Sequence, residues 1–314
     1  MIGSTGVNVV LGAIVSHKLL QLSFQGIALG ARYALVALGF VVIFRATQAI
    51  NFAQGGLVVA GAYLTYNAYH TWDAPFWLAV LFGMLGTALI GALIERLVLR
   101  RMVGQPTFTV IMITIGLLFV INELVTTVWG TDTLALNDPW GIKTKNALDV
   151  TVLVKDLWTI GLAAAVLLGF FLFFRYSRMG VAMRATAVDQ EAALAQGISV
   201  RRVFALSWAI SGLVAALAGV TLASGPGNLN PNIGLIALAA FPAMILGGLD
   251  SPGGAVIGGL VIGLTQVLTA GYQSDLGLDS LGAGFKDVVP YVVMVLILLV
   301  RPYGLFGTKE VRRV

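Results

Sequence analysis

The sequence predicts an all-α protein that crosses a lipid bilayer many times. Three observations carry that reading: the composition, a series of apolar runs of spanning length, and the placement of arginines between those runs. Of the 314 residues, 58% are hydrophobic and 11% charged, and the mean hydropathy is +0.94. A soluble domain carries about 25% charged residues, and a soluble chain of this size lacks the polar surface to enclose so much apolar side chain. Lipid is its solvent, and a soluble enzyme is excluded.

A helix needs about 20 mostly apolar residues to cross a hydrocarbon core of about 30 Å. Runs of that kind lie at 19–44, 53–70, 76–95, 108–129, 157–175, 203–224, 233–249, 254–272 and 287–303. They predict a polytopic bundle of about 8–9 spans, a single transmembrane domain over 1–314. The runs within 233–272 are joined by GGLDSPGG, whose glycines and proline equally suit two full spans or a re-entrant hairpin. The opening MIGSTGVNVVLGAIVSHKLL has no basic residue ahead of its apolar stretch, which argues against a cleaved signal.

The basic residues orient the chain. Arg45 follows the first run, Arg96, Arg100 and Arg101 the third, and Arg175, Arg178, Arg184, Arg201 and Arg202 surround the link after the fifth. Arg301, Lys309, Arg312 and Arg313 close the chain. With nine spans all of them share one side, which the positive-inside rule makes cytoplasmic. The net charge of +5 belongs to that side and not to a nucleic-acid stripe. The opposite link, 130–156, mixes Asp132, Asp138, Asp149 and Asp156 with Lys143, Lys145 and Lys155. The N-terminus is expected outside and the C-terminus inside.

Several of the 38 glycines sit four apart: Gly26 with Gly30, Gly254 with Gly258, and Gly259 with Gly263. Small residues at that spacing let helix backbones approach in lipid. Such a face packs either within the chain or against a second membrane subunit.

Other chemistry is sparse. There is no cysteine, no H-E-x-x-H, and only His17 and His70, so no metal centre or enzyme is expected. No G-x-x-x-x-G-K-[ST] loop is present, so the chain cannot hydrolyse ATP by that route, any ATP-driven process would have to borrow its motor, and no cofactor is expected on this chain. An ionisable group at membrane depth costs about 2.5–3.5 kcal/mol and usually faces protein or water. Arg32 could line a path for a carboxylate-bearing substrate, but snorkelling to the interface or an internal ion pair is favoured, with Glu123 the expected partner. Asn51 and Gln54 either face a translocation path or hydrogen-bond broken backbone. Glu95 beside Arg96 is read as structural, and Asn122 as helix–helix glue.

The 177–203 link predicts a short helix. Asp189 can cap it, Gln190 to Gln196 are good helix formers, and Gly197 supplies a left-handed stop. About two turns of helix are too short to persist alone, so this one needs a surface, either lipid headgroups or a partner's groove.

Six blocks carry a resemblance: GIALGARYALVALGFVVIFRATQAINFAQGG (26–56), ERLVLRR (95–101), TVIMITIGL (109–117), RATAVDQEAALAQGISVRRVFAL (184–206), AFPAMILGGLDSPGGAVIGGLVIGL (240–264) and FKDVVPYVVMVLILLVRPYGLFG (285–307). Through them the chain resembles the permease subunits of branched-chain amino acid ABC importers over nearly its whole length. The resemblance implies a bacterial inner-membrane permease paired with a similar or identical permease. It also implies two cytoplasmic ATPases and an extracytoplasmic substrate-binding protein. Contact with the ATPases would fall on 184–203, through Arg184, Asp189, Glu191, Ala192, Ala193, Gly197, Arg201 and Arg202. The chain departs from the family at Gln54, where histidine is common, and at Asp250, where a charge is unusual. Permeases for urea and short amides are close relatives and remain an alternative. A secondary transporter or channel shares the composition but often places several ionisable groups near the midplane, and here they are few.

The orientation is testable in this cysteine-free chain. Lys145→Cys should react with an impermeant maleimide on intact cells, and a cysteine within 177–202 only after permeabilisation. Labelling of position 145 only from the inside would reverse the assignment.

Overall fold

Helix α1 runs from Ser4 to Thr47, and no proline interrupts it. At about 1.5 Å per residue it is about 66 Å long, roughly twice the hydrocarbon thickness. Its membrane-spanning part is His17–Thr47, longer than the predicted 19–44. The computed structural model describes residues 4–102, 105–147, 150–224 and 228–307; Asp149, Lys309, Arg312 and Arg313 lie outside the described residues.

After α1 come α2 (Gln54–His70), α3 (Phe76–Leu97) and α4 (Thr107–Trp129). Pro75 and Pro106 stand immediately before α3 and α4, where a missing N–H leaves no helical bond unmade. The 130–156 link is more ordered than a bare connection. It contains an antiparallel hairpin of β1 (Thr144–Ala147) and β2 (Val150–Leu153), with Thr144 opposite Leu153. Then follow α5 (Val154–Tyr176), α6 (Arg178–Val188), α7 (Gln190–Ala195) and α8 (Val200–Ala223). Last come α9 (Ile233–Leu238), α10 (Phe241–Gly247), α11 (Pro252–Tyr272) and α12 (Phe285–Val300).

Among the described residues six helices are long and apolar enough to cross a membrane: α1, α3, α4, α5, α8 and α11. Helices α2 and α12, at 17 and 16 residues, are shorter. The chain nevertheless runs between two distinct ends. At one end a cavity gathers Arg45 in the last turn of α1 and Gln48 just after it, Arg184 of α6, Asp250 after α10 and Tyr303 after α12. At the other, Leu134 and Leu229 exchange backbone bonds of 2.8 and 3.2 Å, and His70 Nε2 donates to the Leu136 carbonyl at 3.1 Å. Trp77, Trp140 and Trp158 cluster there too, 5.6–5.9 Å between centroids, in the aromatic position typical of a membrane interface.

These anchors decide between the two readings of 233–272. Leu229 is fixed at the tryptophan end and Asp250 lines the cavity at the arginine end, so α9 and α10 together form one broken passage and no re-entrant hairpin. The break falls at Ala239–Ala240, with Pro242 in the first turn of α10. Among the described residues the chain makes nine passes, and the arginines in the last turns of α1, α3 and α5 and the one just after α12 fall at one end.

Helix α1 packs on α11, α8 and α5, and α8 packs in turn on α2 and α3. The spaced glycines make the α1–α11 seam. A Cβ on Gly30 would lie 2.7 Å from Leu260 Cα, and one on Gly263 would lie 2.3 Å from the Gly30 nitrogen. One on Gly258 would meet the Ala243 carbonyl of α10 at 2.0 Å, and one on Gly254 the Gly247 carbonyl at 2.1 Å. These small-residue faces are therefore filled within the chain, and a second subunit has to use another.

Gly263→Ala should push α11 off α1 and destabilise the protein by about 1–3 kcal/mol, because backbone and not a flexible side chain blocks the methyl. Gly161→Ala on α5, whose Cβ meets nothing within 4 Å, should be neutral or slightly stabilising. Thermal unfolding in detergent compares them.

Candidate coupling surface and translocation path

The 177–203 link folds into two helices where its sequence indicates one. Ser177 caps α6 by accepting from Gly180 N at 2.8 Å, and Asp189 Oδ1 caps α7 by accepting from Glu191 N and Ala192 N at 2.9 and 3.0 Å. The stop after α7 is a Schellman arrangement. Gly197 takes φ +80°, its N–H donates to the Leu194 carbonyl, and the Ile198 N–H donates to that of Ala193. The local cap and stop thus stand where the residues put them. Helix α6 is the part the sequence reading missed, although Ser177 followed by RMGVAMRATAV carries a start signal.

The two alanines of α7 differ. Ala193 is 3% exposed and turned into the chain's own body, so it cannot enter a partner's groove. Glu191 and Ala192 are exposed, as are Arg201 and Arg202 at the start of α8. The outward surface also carries two large apolar side chains the sequence reading passed over, Val188 at 88% and Leu194 at 57% exposure. Arg184 points instead toward the cavity it shares with Arg45.

Helix α7 is connected inward. Gln190, its first residue, lines a cavity of about 140 Å³ together with Asn51, Glu95, Gln105 and Thr114. Asn51 Oδ1 accepts from Ala53 N at 3.0 Å across the non-helical entry to α2, and the residue also borders the cavity. Its Nδ2 is buried without a partner. Gln54 is fully buried in the seam of α1, α2 and α8, where Oε1 lies 2.6 Å from Ser211 Oγ and the amide rests on Gly39. Phe52 stacks on Phe241 at 5.5 Å, and a Cβ on Gly55 would strike the Gly234 carbonyl at 2.6 Å. The broken entry of α2 and the broken α9–α10 passage therefore pack on each other. Non-helical backbone at membrane depth persists only under such cover or beside water.

Arg32 does form an internal ion pair, but Glu123 is not its partner. Arg32 Nη2 meets Asp156 Oδ1 at 2.5 Å, with side chains 17% and 8% exposed. Asp156 lies in the first turn of α5, where a carboxylate is favoured by the helix dipole, and α5 packs directly on α1. Glu123 sits on α4, which rests on α2 away from Arg32, and it is exposed. Asp156 escaped notice because it falls one residue before the predicted span. Glu95 pairs with Arg100 through contacts of 2.8 and 3.3 Å, and not with neighbouring Arg96.

Residues 22–298 match the family described as branched-chain amino acid transport system / permease component. The chain belongs to this permease family. LivH of Escherichia coli, a high-affinity branched-chain amino acid transport system permease protein, is 34% identical over 310 residues, covering 94% of this chain and 97% of LivH. BraD of Pseudomonas aeruginosa, with the same description, is 30% identical over 315 residues, covering 96% and 99%. A probable branched-chain amino acid transport permease of Methanocaldococcus jannaschii is 27% identical over 296 residues, covering 89% and 90%. As a permease component the chain is a multi-pass membrane protein that works within a larger transport system.

The ion pair gives a direct check on this permease. Arg32→Leu or Asp156→Leu alone should destabilise it, toward the lower end of the roughly 3–5 kcal/mol for a buried charge left unpaired. The double change should be milder than either. A cycle measured by thermal unfolding should show strong coupling for this pair and none between Arg32 and Glu123.

Proposed function

We propose that the chain is the membrane-spanning subunit of an ATP-driven importer of branched-chain amino acids in the bacterial cytoplasmic membrane. A binding protein delivers the substrate at the tryptophan end, which faces outward with the N-terminus. Two ATPases dock at the arginine end, which faces the cytoplasm, and supply the ATP chemistry this chain lacks. The observation that carries the reading is the α6–α7 projection, a doubly capped helix pair exposing Val188, Ala192 and Leu194, with Gln190 bordering the cavity that Asn51 lines. A docked ATPase that shifts α7 shifts one wall of that cavity, and with it the entry to α2.

The second permease covers α4. Among the described residues that helix packs chiefly on α2, and it exposes Phe108, Phe119, Leu124 and Val128. Glu123 stands on the same face, about 9 Å inside the helix end. A lone carboxylate there is costly against lipid and is accommodated by a partner's donor or by a wet path between the two permeases. The exposed Leu235 and Ile236 of α9 extend the face, because Leu118 of α4 and Gly234 both reach Gly55.

Leu194→Glu should leave insertion and thermal stability unchanged while cutting uptake and copurification of the ATPases by about tenfold or more, through the desolvation of an added charge. Ala192→Glu should act in the same direction. Ala193→Glu is unsuitable, since it would burden the chain's own packing. Normal uptake by Leu194→Glu would mean that α7 is a membrane-surface helix and not the coupling contact.

A further inference from the structure

Arg45 and Arg184 line two cavities that meet at the arginine end of α1. The larger, about 580 Å³, is a groove between α5 and α11. Leu38 of α1 forms its floor, Leu167 and Phe171 one wall, and Val256 and Ile257 the other. Arg175 joins Arg45 and Arg184 in its lining. The guanidinium of Arg45 lies 5.4 Å from the Phe174 ring centre, and that of Arg175 lies 5.8 Å from Phe171 and 5.5 Å from Tyr176. Aromatic faces thus hold two of the three cations at the end of the groove.

The charges there do not balance. Arg45 is attracted by Asp250 and, more weakly, repelled by Arg184, and among the described residues lining the two cavities Asp250 is the one acid against Arg45, Arg175 and Arg184. Pro252 and Gly253, which open α11, border the same groove and add the positive end of a helix. From this cationic mouth the apolar groove runs inward. Leu38 lies seven residues along α1 from Arg45, and Leu167 eight residues along α5 from Arg175, or about 10–12 Å of helix. That is most of the roughly 15 Å depth of one leaflet's hydrocarbon. The groove opens sideways past exposed Phe171 and Ile257.

We propose that this groove binds one anionic phospholipid of the leaflet at the arginine end. Its phosphate lies against Arg45, Arg175 and Arg184, and one acyl chain lies along the cleft between α5 and α11. Guanidinium groups match phosphate oxygens in pairs, and a basic pocket between transmembrane helices suits such a headgroup. An acyl chain is a single methylene strand, whereas a partner helix with its side chains is about 10 Å across. A zwitterionic lipid would leave the cationic excess uncompensated. Because Arg184 belongs to α6, the headgroup tethers the base of that link to the membrane.

The test is native mass spectrometry of the intact transporter complex in mild detergent, titrated with phosphatidylglycerol or phosphatidylcholine. Phosphatidylglycerol should be retained about tenfold better. Arg45→Gln with Arg184→Gln should abolish that preference. Ile257→Trp fills the groove without altering a charge, so it tests the site independently of whether the double variant folds; it should lower phosphatidylglycerol retention by about tenfold. Equal retention of the two lipids by the unaltered complex, or undiminished phosphatidylglycerol retention in Ile257→Trp, would overturn the proposal. Loss of binding only in the arginine variant would mark a surface charge effect and equally remove the groove from the account.

Discussion

In lipid, α1 and α11 gain nothing from leaving an apolar solvent, so their association depends on how many atoms can touch. Glycine is what lets them touch. Gly26 and Gly30 face Gly259 and Gly263 with backbone against backbone, and α11 is seated on α10 through Gly254 and Gly258 in the same way. This double seat fixes where the broken α9–α10 passage lies, because α10 has no length of its own to define a position. It also brings the start of α11 beside the end of α1, which creates the two arginine-lined cavities.

The second constraint is that no water is present to satisfy polar groups inside the bundle. The chain answers it with few such groups and short-range solutions. Arg32 is paired with Asp156, Gln54 bonds across to Ser211, and Tyr33 donates to Gln266 at 2.7 Å, which donates in turn to Asp287 at 2.7 Å. Most of these tie one passage to another, so they act as register pins within a seam that glycine makes smooth. Asn51 keeps a free amide nitrogen beside the cavity that Gln190 of α7 also lines, and Tyr63 Oη and Asn122 Oδ1 are likewise buried without a partner.

Features set by neighbouring residues were readable in advance, and features set by distant ones were not. Asp189 and Gly197 announced a capped helix because cap and stop are local chemistry. The glycine spacing announced close packing, but only the fold reveals that the chain fills those faces itself. The partner of Arg32 is 124 residues away, and hydropathy had assigned Asp156 to a link, so proximity along a presumed span favoured Glu123 wrongly. Ala193 was misassigned for a related reason: alanine content says that a helix can be approached closely, and only burial says which side is already taken. The β1–β2 hairpin went unseen because a two-stranded ribbon within a polar link carries little periodic signal.

The bundle's interior is thus fixed by backbone contact, and its arginine end carries the arginine-lined cavities and the α6–α7 pair. The most direct measurement is uptake into vesicles holding the reconstituted complex, with binding protein outside and ATP inside. The account predicts that labelled leucine accumulates above its external concentration only when ATP and the ATPases are present. Equilibration without ATP would instead describe a channel or secondary carrier, and ATP-driven accumulation of urea but not leucine would contradict the assigned cargo.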